Sequence, residues 1–521
     1  MSRAPRHPSA QRASVESGRL AFVLALLAGV AQAASFAPTE FWWLQLLSTG
    51  ALVALLADAR PRAAAARAWA FGFGWLGAGF WWLYISLHVY GLLPAWLSVL
   101  AVALLAALLS LYYAIAGWAW ATLRRNRPLV DALLFSGVWL LAELTRGRFL
   151  TGFPWLAGGY AHTSGPLAVW APYVGVYGIG ALAAGISAAA ALVVLTLRGQ
   201  QVRPPLVMLS PLVLPLLLLA LGAALPQGFT RSTGMLSVSL LQPNVAQNDK
   251  FEQAHIDEAL AWHVVKLNAA PGQLVVTPES SLPVLPVQIP PETWRAYEHP
   301  FNKAGKAALV GVFTGDDEHG YTNSLVGLDA THHMSNGTFF RYGKRHLLPF
   351  GEYVPPGFHW FVAMLQIPIG DQAAGVDTAS FAVGAQRVRP LICYEDLFGE
   401  DFATSMVGPN AATLMANATN LAWFGKRMIQ DQHLQFSRMR ALEFQRGQVR
   451  ATNTGATAVI DWQGHVTARL APEVEGELDA EVEGRIGDTP YGVWLAQWRL
   501  WPLWGLALAQ ILFVLLVPRR G

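Results

Sequence analysis

Cysteine is nearly absent from this chain: 521 residues carry one, Cys393. Neither a disulfide framework nor a paired CxxC zinc site can be built from it. Charge is scarce as well. Asp, Glu, Lys and Arg make up 13% of the residues, against about 25% in soluble domains, and the first 227 residues contain no lysine. With an apolar share of 54% and a mean hydropathy of +0.35, that deficit excludes a disordered chain and an ordinary cytosolic enzyme. Also missing are a Walker-type phosphate loop, HExxH and GxSxG, so P-loop, zincin and α/β-hydrolase chemistry have no anchor. His332 and His333 are adjacent, which does not put two ligands on one helical face. No metal and no cofactor is expected.

The charge that is present is unevenly placed. Residues 1–227 hold 14 Arg and 5 acidic residues, a balance of +9, while residues 228–521 hold 22 basic and 28 acidic residues, a balance of −6. A bilayer core takes about 20 apolar residues per helix, and eight runs qualify, at about 20–37, 41–58, 68–90, 94–120, 129–147, 166–197, 205–226 and 493–517. Arg60, Arg62 and Arg67 separate the second from the third. Arg124, Arg125 and Arg127 separate the fourth from the fifth, Arg198 and Arg203 the sixth from the seventh, and Arg519 and Arg520 follow the eighth. With eight spans these all lie on one side, which the excess of arginine in short loops makes cytoplasmic. Arg146 and Arg148 alone dissent. Basic residues scattered through short loops do not form a nucleic-acid face, and no nucleic-acid partner is expected. The expected organisation is a membrane domain over 1–227, an extracytoplasmic domain over 228–490 and a last span within 491–521, with both termini cytoplasmic.

The insert reads differently. Strand patterns at Gly234–Leu241, Gln273–Thr277, Ala308–Phe313, Asn323–Leu328, Val388–Ile392, Ala411–Met415 and Ala456–Asp461 surround helical patterns at Gln253–Leu267 and Gln430–Phe444. That alternation predicts one α/β layered domain. Cys393 ends an apolar strand-like run, where sites collect in α/β folds. A free thiol in an oxidising compartment is a liability unless it is used. To act as a nucleophile it needs a base and an oxyanion partner. Glu279 and Lys344 have similar settings, each following a strand-like run into a polar turn. Each of the three, alone, reads as a buried hydrophobe or a surface charge; together they can supply nucleophile, base and oxyanion stabiliser.

These residues carry a resemblance. TPES around Glu279, YGKRHLLPFGEYVP around Lys344 and ICYEDLF around Cys393 resemble the three signature stretches of the nitrilase superfamily. With the apolar frame, TGFPWL at Thr151–Leu156, NATNLAWFG at Asn417–Gly425 and RMRALEFQRGQVRATNTG at Arg438–Gly455, the whole chain resembles that superfamily's membrane-embedded branch, the apolipoprotein N-acyltransferases of Gram-negative inner membranes. The resemblance implies an α-β-β-α sandwich with a Glu279, Lys344 and Cys393 triad. It also implies ping-pong transfer of the sn-1 acyl chain of a phospholipid, phosphatidylethanolamine being the expected donor, through a Cys393 thioester. The acceptor it implies is the N-terminal amine of diacylglyceryl-modified apolipoproteins. Tyr394 is expected to add a backbone N–H to the oxyanion site, and Glu352 and Glu395 to orient Lys344 and the thiol loop. Two departures stand out: Thr277 and Phe251 occupy places where the family often has Trp. Two rivals remain open at this point. A membrane-tethered nitrilase or amidase would leave the apolar frame unexplained, and a transporter would need ionisable residues within spans, for which Asp131 and Glu143 are the main candidates.

Overall fold

The Ala- and Leu-rich runs of the first half fold as helices, in keeping with their high helix propensity: α1 (Pro8–Ala33), α2 (Trp42–Leu56), α3 (Pro61–Gly79), α4 (Ala95–Leu123), α5 (Pro128–Arg148), α6 (Ala171–Arg198) and α7 (Ser210–Ala224). The computed structural model describes residues 8–198, 210–247, 253–360, 371–376, 379–426 and 428–520. Among them, four stretches are long and apolar enough to cross a membrane: Glu16–Ala33, Ala95–Leu123, Pro128–Thr151 and Pro166–Arg198. A fifth is available if Pro490–Trp498 and Trp501–Leu516, bent by 94°, form one broken span.

This corrects the eight spans expected from hydropathy. The run at 41–58 yields a helix of 15 residues, about 22 Å at 1.5 Å per residue and short of a core about 30 Å thick; of the run at 205–226, Ser210–Ala224 is described as a helix. Residues 205–209 lie outside the described residues. The run at 68–90 is divided: its helix begins at Pro61, takes in Arg62 and Arg67, and stops at Gly79. A sliding count of apolar residues cannot see where a helix ends.

On α4, Leu104, Leu108, Leu111, Ile115 and Trp118 stay exposed while Val102, Ala106, Leu109 and Tyr113 turn inward. An uncovered apolar stripe of that length suits lipid and not water. Inside, α1 and α3 approach closely. A Cβ on Gly29 would stand 1.9 Å from the Phe71 carbonyl oxygen, and one on Gly74 2.3 Å from that of Leu26, as small residues at membrane helix interfaces permit. Arg146 proves not to be a loop charge. It is buried, and its Nη1 donates to the carbonyls of Phe153 at 2.7 Å and Trp155 at 2.8 Å. Glu143 accepts from the Gly158 N–H at 2.9 Å, and Asp131 caps α5 by accepting from the N–H groups of Arg125 and Arg127. Asp131 and Glu143, the two carboxylates a transporter would have needed, thus each have a structural partner.

The insert builds two six-stranded sheets. The first runs β12-β1-β2-β3-β4-β5, with β1 Arg231–Gln242, β2 Leu274–Val276, β3 Ala307–Asp316, β4 Gly320–Leu328, β5 Phe340–Gly343 and β12 Gly476–Ile486. The second runs β11-β10-β9-β8-β7-β6, with β6 Phe381–Val383, β7 Gln386–Ile392, β8 Leu414–Thr419, β9 Gly447–Thr452, β10 Ala458–Ile460 and β11 Val466–Arg469. Alternation along the strands separates two faces. Val238, Leu240, Leu274 and Leu309 of one sheet meet Val388, Leu414, Val449 and Ala451 of the other. Val275, Val310 and Val326 turn outward onto α8 (Gln253–Ala269) and α9 (Pro291–Glu298). The outer face of the second sheet takes α10 (Met428–Phe444), completing an α-β-β-α sandwich.

α10 is held from both sides. Toward the membrane helices, Gln432 Oε1 accepts from Trp82 Nε1 at 3.1 Å and Trp155 Nε1 at 2.8 Å, and Gln435 Oε1 accepts from the Ala37 N–H at 3.2 Å. Glu443 accepts from the Val176 N–H at 2.7 Å. Phe436 packs between the rings of Trp155 and Tyr160, at 4.7 and 4.4 Å between centroids. Expressed without its helical bundle, a 228–489 fragment would bare this face. It is expected to be recovered as aggregate in the absence of detergent; a soluble monomer with a cooperative melt would contradict the interlock described here.

Candidate active site

Three strands of the sandwich end at one place. β2 is parallel to β3, β4 is antiparallel to β3, and β5 is antiparallel to β4, so the C-terminal ends of β2 and β5 lie at the same edge of the first sheet. Glu279 follows β2 and Lys344 follows β5 directly. Cys393 follows β7 of the second sheet directly, so the three sit where the ends of the two sheets meet.

Lys344 Nζ donates to Glu279 Oε1 at 3.1 Å and to Glu352 Oε1 at 2.6 Å. All three side chains are buried. Burial opposes the ammonium charge, but the Glu279 and Glu352 carboxylates, with Cys393, outweigh it and hold Lys344 well above its ordinary value. The carboxylates are themselves fixed. Glu279 Oε1 also accepts from Asn323 Nδ2 at 2.6 Å, its Oε2 from the Asn420 N–H at 2.9 Å, and Glu352 Oε2 from the Leu348 N–H at 2.7 Å.

Cys393 stands at φ +49°, in the left-handed region that residues other than glycine seldom occupy. Such strain persists where the surroundings impose it, and it concentrates at functional positions. Its carbonyl accepts from Asn417 Nδ2 at 3.2 Å. Burial first, then the charge of Glu279, push the thiol well above its ordinary value, while Lys344 opposes them. At rest the site therefore holds a protonated thiol, an anchored carboxylate and a fixed ammonium.

Glu395 lies behind the triad and joins two loops. It accepts from the Ile392 N–H at 2.7 Å on the thiol side, and from the Arg345 N–H and the Tyr342 hydroxyl, both at 2.8 Å, on the lysine side. Tyr394 sends its hydroxyl to the Gly152 carbonyl at 3.1 Å, tying the thiol turn to the membrane domain. Phe251 lies outside the described residues. Asn323 and Asn420 were missed by sequence reasoning, although both stand out as amides at or beside apolar strands, in YTNSLVG and NATN. Among the described residues no group of three or more His, Cys, Asp or Glu side chains gathers as metal ligands.

The two-sheet sandwich has the fold of the carbon–nitrogen hydrolases. The carbon–nitrogen hydrolase family model matches residues 238–491, and the model of the apolipoprotein N-acyltransferase N-terminal domain matches residues 28–189. The chain is 47% identical over 514 residues to the apolipoprotein N-acyltransferase of Verminephrobacter eiseniae, covering 91% of this chain and 92% of that one. It is 46% identical over 481 residues to that of Ralstonia nicotianae, covering 91% and 90%. A solved carbon–nitrogen hydrolase superfamily protein from Xanthomonas campestris superposes with a TM-score of 0.37 at 18% identity, covering 51% of this chain and 96% of that one. The chain belongs to the apolipoprotein N-acyltransferase family, an acyltransferase branch of the carbon–nitrogen hydrolases.

Proposed function

We propose that this enzyme moves the sn-1 acyl chain of a phospholipid, with phosphatidylethanolamine as donor, onto the α-amine of the diacylglyceryl-cysteine that begins an apolipoprotein. Cys393 is the nucleophile. As its sulfur attacks the ester carbonyl, Glu279 takes the thiol proton, and the oxyanion of the tetrahedral intermediate is met by Lys344 Nζ and the Tyr394 N–H. The carbon–oxygen bond to glycerol breaks, Glu279 returns the proton to that oxygen, and lysophospholipid leaves a thioester on Cys393. The acceptor amine then attacks the thioester, Glu279 takes its proton, and the thiol leaves reprotonated as the amide forms. Glu352 holds Lys344 in place, and Glu395 holds the thiol turn against the lysine loop.

The observation that carries this reading is the Lys344 ammonium clamped between Glu279 and Glu352 beside a strained cysteine. A cation neutralised by two carboxylates can meet developing negative charge without reorganising, which is where most electrostatic catalysis comes from. Mass spectrometry of the protein incubated with phospholipid alone tests it. An acyl adduct is expected on Cys393, together with released lysophospholipid; free fatty acid with no adduct would mark a hydrolase.

The catalytic domain is proposed to face the periplasm across the inner membrane, over about 228–490, with both termini cytoplasmic. The C-terminal end supports this. Arg125 donates to the carbonyls of Val514 and Leu515 at 2.9 and 2.8 Å, and the Arg520 N–H to the Arg125 carbonyl at 3.0 Å, so the arginine loop and the chain end share one side. Gly152, which touches the thiol turn, lies beyond the other end of α5, whose 21 residues span about 31 Å. A reporter active only outside the cytoplasm is expected to work when fused after Gln227 and to fail after Arg127; the reverse pattern would separate Cys393 from both lipid substrates.

A further inference from the structure

Behind the nucleophile lies a buried ionic set that the reaction as written does not use. β7, β8 and β9 pair in parallel, with Leu391, Asn417 and Arg450 level across them. Val449 and Ala451 turn into the sandwich core, so Arg450 between them turns outward, beneath α10. Its Nη1 donates to Asp396 Oδ2 at 2.9 Å and to the Ser437 hydroxyl, and its Nη2 to His433 Nδ1 at 2.9 Å. Asp396 lies three residues past Cys393 and also accepts from Gln448 Nε2 at 2.9 Å and from the Ser437 hydroxyl. All five side chains are buried.

A guanidinium carries donors only, so His433 Nδ1 must accept, and the ring is neutral with its proton on Nε2. Burial, then the charges of Arg450 and Lys344, keep the imidazole well below its ordinary value. His433 therefore does not serve as base for the thiol, and the site is not a Cys–His pair. Buried ion pairs are costly to desolvate and seldom add stability over apolar packing. Five polar groups beneath a nucleophile call for a different reason.

Besides the Glu395 and Tyr394 contacts described above, the turn that carries Cys393 is held on the α10 and β8–β9 side at two points. Asn417 holds the Cys393 carbonyl at its start, and Arg450 holds Asp396 one turn further on. We infer that Arg450 is a positioning residue for Cys393: clamped by Asp396 and His433, it keeps the nucleophile turn in its left-handed conformation and places a second fixed positive charge, besides Lys344, near the sulfur. The inference rests on the reading of Cys393 as the residue that carries the acyl group. The charges acting on Cys393 are Glu279, Lys344 and Glu352 from loops of the first sheet and Arg450 from β9, while His433 of α10 meets its backbone and Tyr394, Glu395 and Asp396 share its own turn. Arg450 is the one cation among them that is bonded to the turn itself.

The test uses the full-length enzyme in detergent and two readouts. One is the rate of iodoacetamide alkylation of Cys393, the sole thiol, across a pH series; the other is thioester formation from phospholipid. The variants are Arg450→Lys and Arg450→Gln combined with Asp396→Asn, the pair of changes avoiding an unpaired buried carboxylate. The double variant is expected to alkylate more slowly at each pH, with its profile displaced to the alkaline side, and to form thioester about 10²-fold more slowly. Arg450→Lys is expected to recover the alkylation profile but only part of the thioester rate, because an ammonium lacks the planar fork that binds Asp396 and His433 together. A double variant that matches the wild type in both readouts would overturn the inference. Should the double variant fail to fold, Arg450→Lys decides alone, and a wild-type thioester rate in it overturns the assignment. If the wild type itself takes no acyl group, the acyl-transfer reading fails, while the alkylation profiles still report whether Arg450 acts on the thiol.

Discussion

Cys393→Ala is expected to abolish both the acyl adduct and product formation while leaving a folded, membrane-inserted protein. The chain offers no other thiol, so no second sulfur can take the acyl group. The loss of one sulfur from a site lined by hydrogen-bonded carboxylates and an ammonium leaves the loops around it in place, because Glu395 and Asn417 hold them through other atoms. Cys393→Ser keeps the shape and is expected to be nearly inert. A hydroxyl starts from a far higher pKa than a thiol, and the burial and neighbouring Glu279 charge that push the thiol up act on it in the same direction. Quantifying adduct by intact-protein mass spectrometry and product by lipoprotein mobility checks both. Full turnover by the alanine variant would end the thioester mechanism.

Removal of either polar partner should be almost as severe, for different reasons. Glu279→Gln keeps hydrogen bonds available to Asn323 and Lys344 but cannot accept a proton. Because the thiol rests protonated, thioester formation is expected to stop, and amine attack on a preformed thioester with it. Lys344→Met removes the cation that meets the oxyanion, an effect of about 10²–10³ in rate for a single donor. It also leaves the Glu279 and Glu352 carboxyl groups without the ammonium that bridges them. Single-turnover measurement of thioester formation separates the roles. Normal accumulation of thioester in either variant would show that its residue is not needed for the first half-reaction.

Much of this molecule is decided locally and is therefore legible in the sequence. The strand runs at 234–241, 273–277 and 388–392 fold as strands, and Gln430–Phe444 folds as a helix, because period-two and helical apolar patterns act over a few neighbouring residues. Glu279, Lys344 and Cys393 stand out for a related reason, each being a polar residue set just past an apolar strand. The number of spans was not legible. Hydropathy counts residues, whereas a span also needs an unbroken helix of sufficient length, and the breaks after Gly79 and between Trp498 and Trp501 depend on packing. Arg146 misled as a loop charge, since its carbonyl partners at Phe153 and Trp155 are supplied by a chain that folds back over it. Composition and short-range pattern determined the class of chain, its apolar frame and its three candidate reacting groups. Only the tertiary structure decided that Lys344 sits between two carboxylates, that Asn323 and Asn420 anchor Glu279, and that Arg450 grips the turn behind Cys393. Those contacts join residues far apart in the chain, and no local preference encodes them; they arise when the buried faces of two sheets and α10 close and leave each polar group only the partners within reach.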